Sequence, residues 1–199
     1  MVTILFKEDI VKNRELIEQT ILDGGIIIYP TDTLYGIGGR ADRDDIVKKI
    51  YALKKRDDKK PLSMIVPDFN FIHNYFQIDD FSEKTLKKYL PGKYTILLQP
   101  NETLLKNIPI SNIVLSMTPK TAIRICNHYI QDIVFSLKIP LISTSANISG
   151  NKSISKFEDL EDELLKQVDL IIVDDSQVSG IGSTIFEILE NNSFKYIRK

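Results

Sequence analysis

Apolar residues alternate along this chain between helical spacing and short continuous runs. Helical spacing over residues 9–22, ended by a pair of glycines, predicts a first helix. Residues 26–29 (IIIY) form an apolar run between those glycines and Pro30, which predicts a short buried strand. A second helix should begin at Asp44 or Asp45, because either carboxylate can cap a helix N-terminus.

The same alternation continues to the C-terminus. Further strands are predicted at 64–66, 94–98, 114–115, 121–125, 141–142, 170–173, 183–188 and 194–198. Further helices are predicted to begin at Asp68 and Ser82, to span 128–137 and to lie near 157–166. Because helices and strands interleave throughout, the pattern predicts an α/β fold with a mixed sheet.

Size and charge narrow the class of protein. The 199 residues are 43% hydrophobic and contain no linker or internal repeat, so we expect one domain over residues 1–199. A net charge of −1 argues against nonspecific binding of nucleic acid. A single cysteine, Cys126, excludes an internal disulfide framework and indicates the reducing cytoplasm. We expect neither a secretory signal nor a membrane span, since no apolar run is long enough.

Residues 30–36 (PTDTLYG) carry the first candidate chemistry, because they follow directly on the predicted strand 26–29. In open α/β sheets, ligands bind at the edge where the strands end. A structural turn would explain Pro30 and Asp32, but it would not explain two threonines, a tyrosine and three nearby glycines. This loop is therefore a candidate ligand-binding segment.

A second polar segment, residues 143–150 (STSANISG), leaves another apolar strand end. Five of its eight residues carry hydroxyl or amide groups. Such groups can bind phosphate, ribose or carboxylate oxygens, and they can also cap a helix or close a turn. Two polar loops that each leave an apolar strand favour one shared crevice.

A basic segment lies between these loops. Seven cations stand in residues 48–60 against two carboxylates, so the segment carries +5 while the whole chain carries −1. The later cations lie between a helix end and the strand 64–66, where they can receive a polyanion such as a triphosphate. Solvated positions on the helix face are the better interpretation for Lys48, Lys49 and Lys55. The other four cations are Lys54, Arg56, Lys59 and Lys60.

Together these segments resemble the YrdC family of threonylcarbamoyl-adenylate synthases, in its short form without an appended second domain. The matches run in family order across about residues 8–198. They are residues 30–36, Lys54-x-Arg56 with 60–62 (KPL), 90–92 (LPG) with 94–95 (YT), 122–124 (AIR), 145–147 (SAN) with 149–150 (SG), 183–185 (STI) and 197–198 (IR). The resemblance implies an α/β fold with a twisted, open mixed sheet and flanking helices around a large concave cavity.

The resemblance also implies a reaction. The chain would be a nucleotidyltransferase that condenses L-threonine, bicarbonate and ATP into threonylcarbamoyl-AMP and pyrophosphate, for tRNA modification. The product would pass to a separate tRNA threonylcarbamoyltransferase, and the basic segment is a candidate for weak contact with tRNA. Mg²⁺ would accompany ATP, held mainly by its phosphates. No protein metal site is expected, because His73 and His128 lie far apart in sequence without a Cys or acidic cluster at ligand spacing.

The family's roles carry over to the matching positions of this chain. The expected catalytic residues, near the ATP phosphates and the carbamate, are Lys54, Arg56 and Lys60. The threonine-binding residues would be Thr33, Tyr35, Arg124, Ser145 and Ser183, with Arg124 on the threonine carboxylate. The nucleotide-binding residues would be Arg56, Lys60, Asn147, Ser155 and Arg198. Ser155 and Ser183 serve equally well as turn residues, whereas an unpaired Arg124 inside an apolar strand would be costly.

Two other functions stay open. An RNA-binding or ribosome-associated module on the same fold would use the basic segment, although the net charge argues against it. A YciO-like paralogue with divergent chemistry is suggested by residues 91–95 (PGKYT), whereas the intact 145–147 favours the synthase. The chain also departs from the family pattern. Cys126 stands where a proline is common, Lys120 stands where relatives carry a small or hydroxyl residue, and no glycine follows the terminal arginine.

Overall fold

The strands of this chain are divided between two mixed β-sheets. The computed structural model describes residues 2–57, 60–101, 103, 107–116, 118–189 and 191–199. Its strands are β1 (Thr3–Phe6), β2 (Ile27–Pro30), β3 (Tyr35–Gly38), β4 (Ser63–Ile65), β5 (Tyr94–Leu98), β6 (Thr121–Arg124), β7 (Leu141–Ile142), β8 (Thr144–Ser145), β9 (Leu170–Val173), β10 (Thr184–Ile188) and β11 (Phe194–Arg198). The five-stranded sheet has the order β1-β9-β2-β3-β8, and the six-stranded sheet has the order β11-β10-β5-β6-β4-β7.

Each sheet combines parallel and antiparallel pairs. In the five-stranded sheet, β9 runs parallel to both β1 and β2, and β3 runs antiparallel to both β2 and β8. In the six-stranded sheet, β5–β10 and β4–β6 are parallel, whereas β5–β6, β4–β7 and β10–β11 are antiparallel. The β2–β3 pair is a hairpin, which turns the chain back at the end of a buried strand.

Seven α-helices connect the strands within the described residues. They are α1 (Arg14–Leu22), α2 (Asp44–Leu53), α3 (Phe69–Tyr75), α4 (Asp80–Tyr89), α5 (Asn112–Ser116), α6 (Ile130–Leu137) and α7 (Asp162–Leu165). Short 3₁₀ turns lie at Lys7–Asp9 and Phe157–Asp159. Two helices have clear side-chain caps, in which Asp68 accepts from the Phe71 amide and Asp79 from the Ser82 amide.

Two apolar clusters cover opposite faces of the five-stranded sheet. Ile27 and Tyr29 of β2 pack in the cluster that contains α1 and α6, whereas Ile28 packs in the cluster that contains α2. Successive residues of a strand point to opposite faces, so a strand that is covered on both faces needs apolar residues at every position. This explains why residues 26–29 form a continuous apolar run.

Most predicted elements are confirmed, including the helix from Asp44 and the strands at 94–98 and 170–173. The predicted strand at 114–115 is wrong, because these residues belong to α5, where Ser111 Oγ accepts from the Ile113 amide. Ser82 does not cap α4 through its side chain, since Asp79 performs that role.

Other boundaries also differ from the predicted ones. The first helix begins at Arg14 rather than at residue 9, after the 3₁₀ turn. The segment near 157–166 contains a 3₁₀ turn and the single-turn helix α7 rather than one helix. Strands β1, β3 and β8 were not predicted, and the strands divide between two sheets instead of one. Among the described residues, the helices are all too short or too polar to cross a membrane.

Candidate active site

A cleft of ≈ 380 Å³ lies between parts of both sheets. The β2–β3 turn and residues 143–145 supply one part of its lining, and β4, β5, β6, β10 and β11 supply the other. In β5 and β6 of the six-stranded sheet, residues at every second position line the cleft, because alternate side chains share a face. They include Thr95 and Leu97 of β5, and Ala122 and Arg124 of β6. The register pairs Leu97 with Ala122 and Ala122 with Ser63, so these three residues form one row across the sheet.

The β2–β3 turn is organised by Thr31. Its hydroxyl accepts from the amides of Thr33 and Leu34 at 3.1 and 3.2 Å, and it donates to the Leu34 carbonyl at 2.7 Å. The Thr31 and Thr33 hydroxyls lie 2.9 Å apart, and both residues are buried. This network explains the two threonines of residues 30–36, because it holds the Thr33 hydroxyl at the cleft.

Arg124 reaches this turn from β6. Its Nη1 donates to Thr33 Oγ1 at 3.1 Å, and its Nη2 donates both to Asp32 Oδ1 and, at 3.2 Å, to the Gly92 carbonyl. The Arg124–Asp32 ion pair is buried, since both side chains are less than a tenth exposed. The positive charge of Arg124 is thus balanced in the cleft wall, as a buried charge requires.

Tyr35 is one of the residues that line the cleft, but its hydroxyl is bound elsewhere. It donates to Asp175 Oδ1 at 2.6 Å and accepts from the Asp174 amide at 3.1 Å. Burial, together with the Asp175 hydrogen bond, raises the pKa of Tyr35, so the phenol stays protonated at neutral pH. Tyr35 therefore shapes the cleft and anchors the segment after β9.

Residues 143–147 are held close to β3. Strand β8 pairs with Gly36 and Ile37, and the Ala146 amide donates to the Tyr35 carbonyl at 2.8 Å. A Cβ atom at Gly38 would lie 1.6 Å from the Ile142 carbonyl oxygen, so only glycine permits this approach. Ser63 adds a link to the six-stranded sheet, because its hydroxyl donates to the Ser143 carbonyl at 2.5 Å.

Lys54 lies behind this loop and is only 1% exposed. Its Nζ donates to the carbonyl oxygens of Ser145 and, at 2.6 Å, of Asn147. Burial, reinforced by the neighbouring charge of Arg56, lowers the pKa of Lys54 to about 8. Lys54 is not among the residues that line the cleft, so its ammonium supports the loop from behind.

This burial predicts a pH-dependent stability. The unfolded chain holds the Lys54 proton up to its ordinary pKa of 10.5, and the folded chain holds it to about 8. Between these values the unfolded chain binds more protons, so the free energy of unfolding should rise with pH relative to a chain without Lys54. We expect the wild-type melting temperature to increase from pH 8 to pH 10 when it is referred to that of Lys54→Met at each pH. As a control, the difference in melting temperature between the wild-type protein and Lys48→Met, which lacks an exposed lysine, should stay constant over this pH range. A constant difference between the wild-type protein and Lys54→Met would contradict the lowered pKa of Lys54.

Arg56 and Lys60 bring positive charge to the cleft from the end of α2. Lys55 adopts φ +47°, a left-handed conformation that ends the helix and redirects the chain. Arg56 is half-buried and donates to the carbonyls of Lys60 at 3.3 Å and Pro61 at 3.0 Å. These bonds hold its guanidinium at the cleft without neutralising its charge.

The C-terminal strand supplies a further cation. Arg198 Nε and Nη2 donate to the Ser183 carbonyl at 2.9 and 2.8 Å, and Nη2 also donates to the Ser183 hydroxyl at 3.0 Å. The Ser183 hydroxyl in turn lies 2.9 Å from Thr95 Oγ1. Burial, and then the like charge of Arg124, lower the pKa of Arg198. Three guanidinium groups, those of Arg56, Arg124 and Arg198, therefore line one cleft, which favours an anionic ligand.

The cleft gathers most of the predicted site residues. Its lining includes Thr33, Tyr35, Arg56, Lys60, Arg124, Ser145, Ser183 and Arg198. Three predicted residues, Lys54, Asn147 and Ser155, are not part of it. Asn147 is buried and its amide donates to the carbonyls of Ile148 and Asn151, whereas Ser155 lies beside Gly180. Lys59 and Asp58 of the basic segment lie outside the described residues.

Several lining residues had not been assigned a role from the sequence. Ser63, Thr95, Thr118 and Ser143 all place hydroxyl-bearing side chains in the lining. Thr95 could have been found from strand alternation, because it lies two positions before Leu97 on the same face of β5. Ser63 pairs with Ala122 of the neighbouring strand. Lys120 also lines the cleft, but its ammonium is bound by Glu187 at 2.9 Å and by the Ile188 carbonyl at 3.0 Å.

Comparison with known proteins places this architecture in a family. A family model named for Sua5, YciO and YrdC, and described as "Telomere recombination", matches residues 19–199. The chain belongs to the Sua5/YciO/YrdC family. It is 39% identical over 169 residues to a Methanocaldococcus jannaschii protein provisionally named a threonylcarbamoyl-AMP synthase, covering 84% of this chain and 76% of that one. It is 31% identical over 183 residues to human threonylcarbamoyl-AMP synthase, covering 88% of this chain and 62% of the human one.

Solved structures of the family share the fold. P. abyssi Sua5 complexed with L-threonine superposes with a TM-score of 0.85 at 22% identity, covering 100% of this chain and 57% of the Sua5 chain. E. coli YciO superposes with a TM-score of 0.80 at 21% identity, covering 100% of this chain and 96% of YciO. The chain therefore spans less than two thirds of the human synthase and of Sua5.

Proposed function

We propose that this chain is a threonylcarbamoyl-AMP synthase, which condenses L-threonine, bicarbonate and ATP into threonylcarbamoyl-AMP and pyrophosphate. The observation that carries the proposal is the clustering of cations and hydroxyl groups in one cleft. Arg56, Lys60, Arg124 and Arg198 line it together with nine serines and threonines. The names of the family relatives agree with this activity.

The chemistry explains why such a cleft is needed. The amine of threonine and bicarbonate form a carbamate with loss of water, and a carbamate oxygen then attacks the α-phosphorus of ATP. The bond to pyrophosphate breaks, and pyrophosphate leaves with the electron pair. Both reactants are anionic, so fixed positive charge and precise placement supply most of the acceleration. No covalent nucleophile is required.

Threonine would bind beside the β2–β3 turn. The Arg124 guanidinium would hold its carboxylate, because it is already fixed by Asp32 and Thr33 and retains unused N–H donors. Thr33, Ser143 and Ser145 would surround the remaining polar groups, and the Tyr35 ring would close the site.

The phosphates of the nucleotide would bind beside Arg56 and Lys60, which line the cleft after the end of α2. Lys54 would contribute from behind the loop, through its charge and by holding the Ser145 and Asn147 carbonyls. Arg198 with Ser183 would support the nucleotide or the carbamate from the C-terminal strand. Asn147 and Ser155 would act by shaping the loops beside the cleft.

Magnesium would enter with ATP as part of the substrate. Among the described residues, His, Cys, Asp and Glu form no group of three or more that could hold a metal ion. The donors at the cleft are hydroxyl groups and cations, which suit phosphate rather than a divalent cation. Magnesium would therefore be held by phosphate oxygens and water.

The product is a mixed anhydride of a carbamate and a phosphate, which must be consumed by a nucleophile. We propose that a separate tRNA threonylcarbamoyltransferase in the cytoplasm takes it. Weak contact with tRNA would use the exposed Lys48 and Lys49 of α2. The basic segment does not form one surface, since Lys54 is buried and Lys55 is paired with Glu163 at 2.8 Å. This division disfavours an RNA-binding module as the principal function.

A YciO-like paralogue with different chemistry is the second candidate. It is favoured by the superposition on nearly the full length of YciO and by residues 91–95. One assay separates the candidates: pyrophosphate release from ATP in bicarbonate buffer with magnesium, with and without L-threonine. We expect release that requires threonine. No pyrophosphate release from folded protein that binds ATP would favour the paralogue. Salt-sensitive RNA binding without ATP binding would favour the RNA module.

A further inference from the structure

Asp32 is a buried carboxylate with no direct role in the proposed chemistry. It is 6% exposed and lies in the β2–β3 turn of the five-stranded sheet. It accepts from Arg124 Nη2, from Cys126 Sγ at 3.1 Å and, at 3.4 Å, from the Asn127 amide. All three donors come from β6 or the residues directly after it, so this carboxylate joins the two sheets behind the cleft.

The bonds of Arg124 leave a defined set of donors unused. An arginine has five N–H groups. Three of them are occupied, by Thr33 Oγ1, Asp32 and the Gly92 carbonyl. Nε is buried, and it has no partner among the described residues. A guanidinium that lines the cleft is thus held by three hydrogen bonds and keeps two N–H groups, on Nε and Nη1, without a partner among the described residues.

We propose that Asp32 is a positioning residue, which fixes the Arg124 guanidinium so that its unused N–H groups meet the carboxylate of threonine. This inference rests on the proposed function and names the determinant of carboxylate recognition within it. An arginine side chain has several rotatable bonds, and holding it in one geometry costs rotamer entropy. Because Asp32 already orders the Arg124 side chain before threonine binds, the binding of threonine does not have to supply the free energy for this ordering.

Cys126 completes the anchor. Burial raises the pKa of the Cys126 thiol to about 12, so the sulfur keeps its proton and can donate to Asp32 at neutral pH. The Asn127 amide provides another donor, and together they hold the carboxylate in place while it faces Arg124. The residue that stands where relatives commonly carry proline thus has a local role in this chain.

The test compares Asp32→Asn, which keeps the size of the side chain and removes its charge, with the wild-type protein. Isothermal titration gives dissociation constants for L-threonine and for L-threonine amide, which lacks the carboxylate charge. We expect the wild-type preference for threonine over the amide to fall at least about tenfold in Asp32→Asn, as loss of one charge-assisted hydrogen bond implies. Affinity for the amide should change less than about twofold, since its contacts do not use that charge.

A purely structural role would weaken both ligands equally, and an unchanged preference in Asp32→Asn would overturn the proposal. The matched control is Asp42→Asn, which breaks an Asp–Arg pair with Arg40 outside the cleft and should leave both dissociation constants unchanged. A wild-type protein that does not bind threonine would overturn the proposed function, and this inference with it.

A second pair of variants covers the case in which Asp32→Asn does not fold. Cys126→Ala removes one donor to Asp32, and Cys126→Ser retains a donor of similar size. We expect the preference for threonine to fall a few-fold in Cys126→Ala and to return in Cys126→Ser. Equal preference in both variants and in the wild-type protein would overturn the positioning role.

Discussion

Replacing Arg56 with alanine should lower the rate of pyrophosphate formation about 10²–10³-fold, the range found when one charge-stabilising donor is lost from an active site. Arg56 lines the cleft, and its described hydrogen bonds go to the carbonyls of Lys60 and Pro61. Its charge is therefore available to the phosphates that acquire negative charge as pyrophosphate leaves. Steady-state turnover at saturating threonine and ATP measures the effect.

The fold should survive Arg56→Ala, because the side chain is half-buried and its described hydrogen bonds go only to the nearby carbonyls of Lys60 and Pro61. A thermal melt within a few degrees of wild type checks this. The matched control is Lys49→Ala, which removes an exposed cation of α2 that lies outside the cleft. Wild-type turnover in Arg56→Ala, or an equal loss in Lys49→Ala, would contradict the role of Arg56.

The second large effect concerns threonine. In Arg124→Ala, the Michaelis constant for threonine should rise at least about tenfold, since a hydrogen bond to a charged group contributes roughly 1.5–3 kcal/mol. The Michaelis constant for ATP should change far less, because the phosphates are assigned to Arg56 and Lys60. The experiment varies each substrate at saturating levels of the other.

Arg124→Ala leaves Asp32 buried without its partner, which is expected to destabilise the protein by about 3–5 kcal/mol. The double variant Asp32→Ala with Arg124→Ala removes both charges, so it should recover stability but not threonine affinity. Arg40→Ala, which breaks a pair outside the cleft, is the control for loss of an arginine. Equal changes in both Michaelis constants would show that Arg124 does not bind the threonine carboxylate.

The sequence predicted the interleaved elements because burial imposes a strong pattern on them. Residues 26–29 and 170–173 read as continuous apolar runs since β2 and β9 are covered on both faces. The start of α2 was predicted from Asp44 and Asp45 as caps; the boundary is confirmed, but the capping role is wrong, because Arg43 is the N-cap and both aspartates lie in the first turn. These patterns depend on residues that are close in sequence, so they can be recognised without knowledge of the tertiary structure.

The division into two sheets could not be predicted, because it depends on pairing between segments that are distant in sequence. Strand β3 was interpreted as part of a ligand loop, since Gly36 and Gly38 are poor strand formers. Their role is set by close approach to Tyr29 and Ile142.

The roles of the site residues also depend on contacts between segments that are distant in sequence, so they could be predicted only in part. The cations of residues 54–60 were singled out together, yet Arg56 and Lys60 line the cleft and Lys54 does not. Asp32 pairs with Arg124 across 92 positions of sequence. No spacing rule relates the two residues, so the pair was found only in the fold.

The most direct test of the central claim is to follow the carbon of bicarbonate into the product. The protein is incubated with ATP, magnesium, L-threonine and either ordinary or ¹³C-labelled bicarbonate, and the nucleotide products are analysed by mass spectrometry. The account predicts an adduct of AMP, threonine and one carbonyl group, whose mass rises by about one unit with the label, as one bicarbonate carbon per carbamate requires. ATP turnover that yields only AMP, or an adduct whose mass is the same with labelled and ordinary bicarbonate, would contradict the proposed synthase activity.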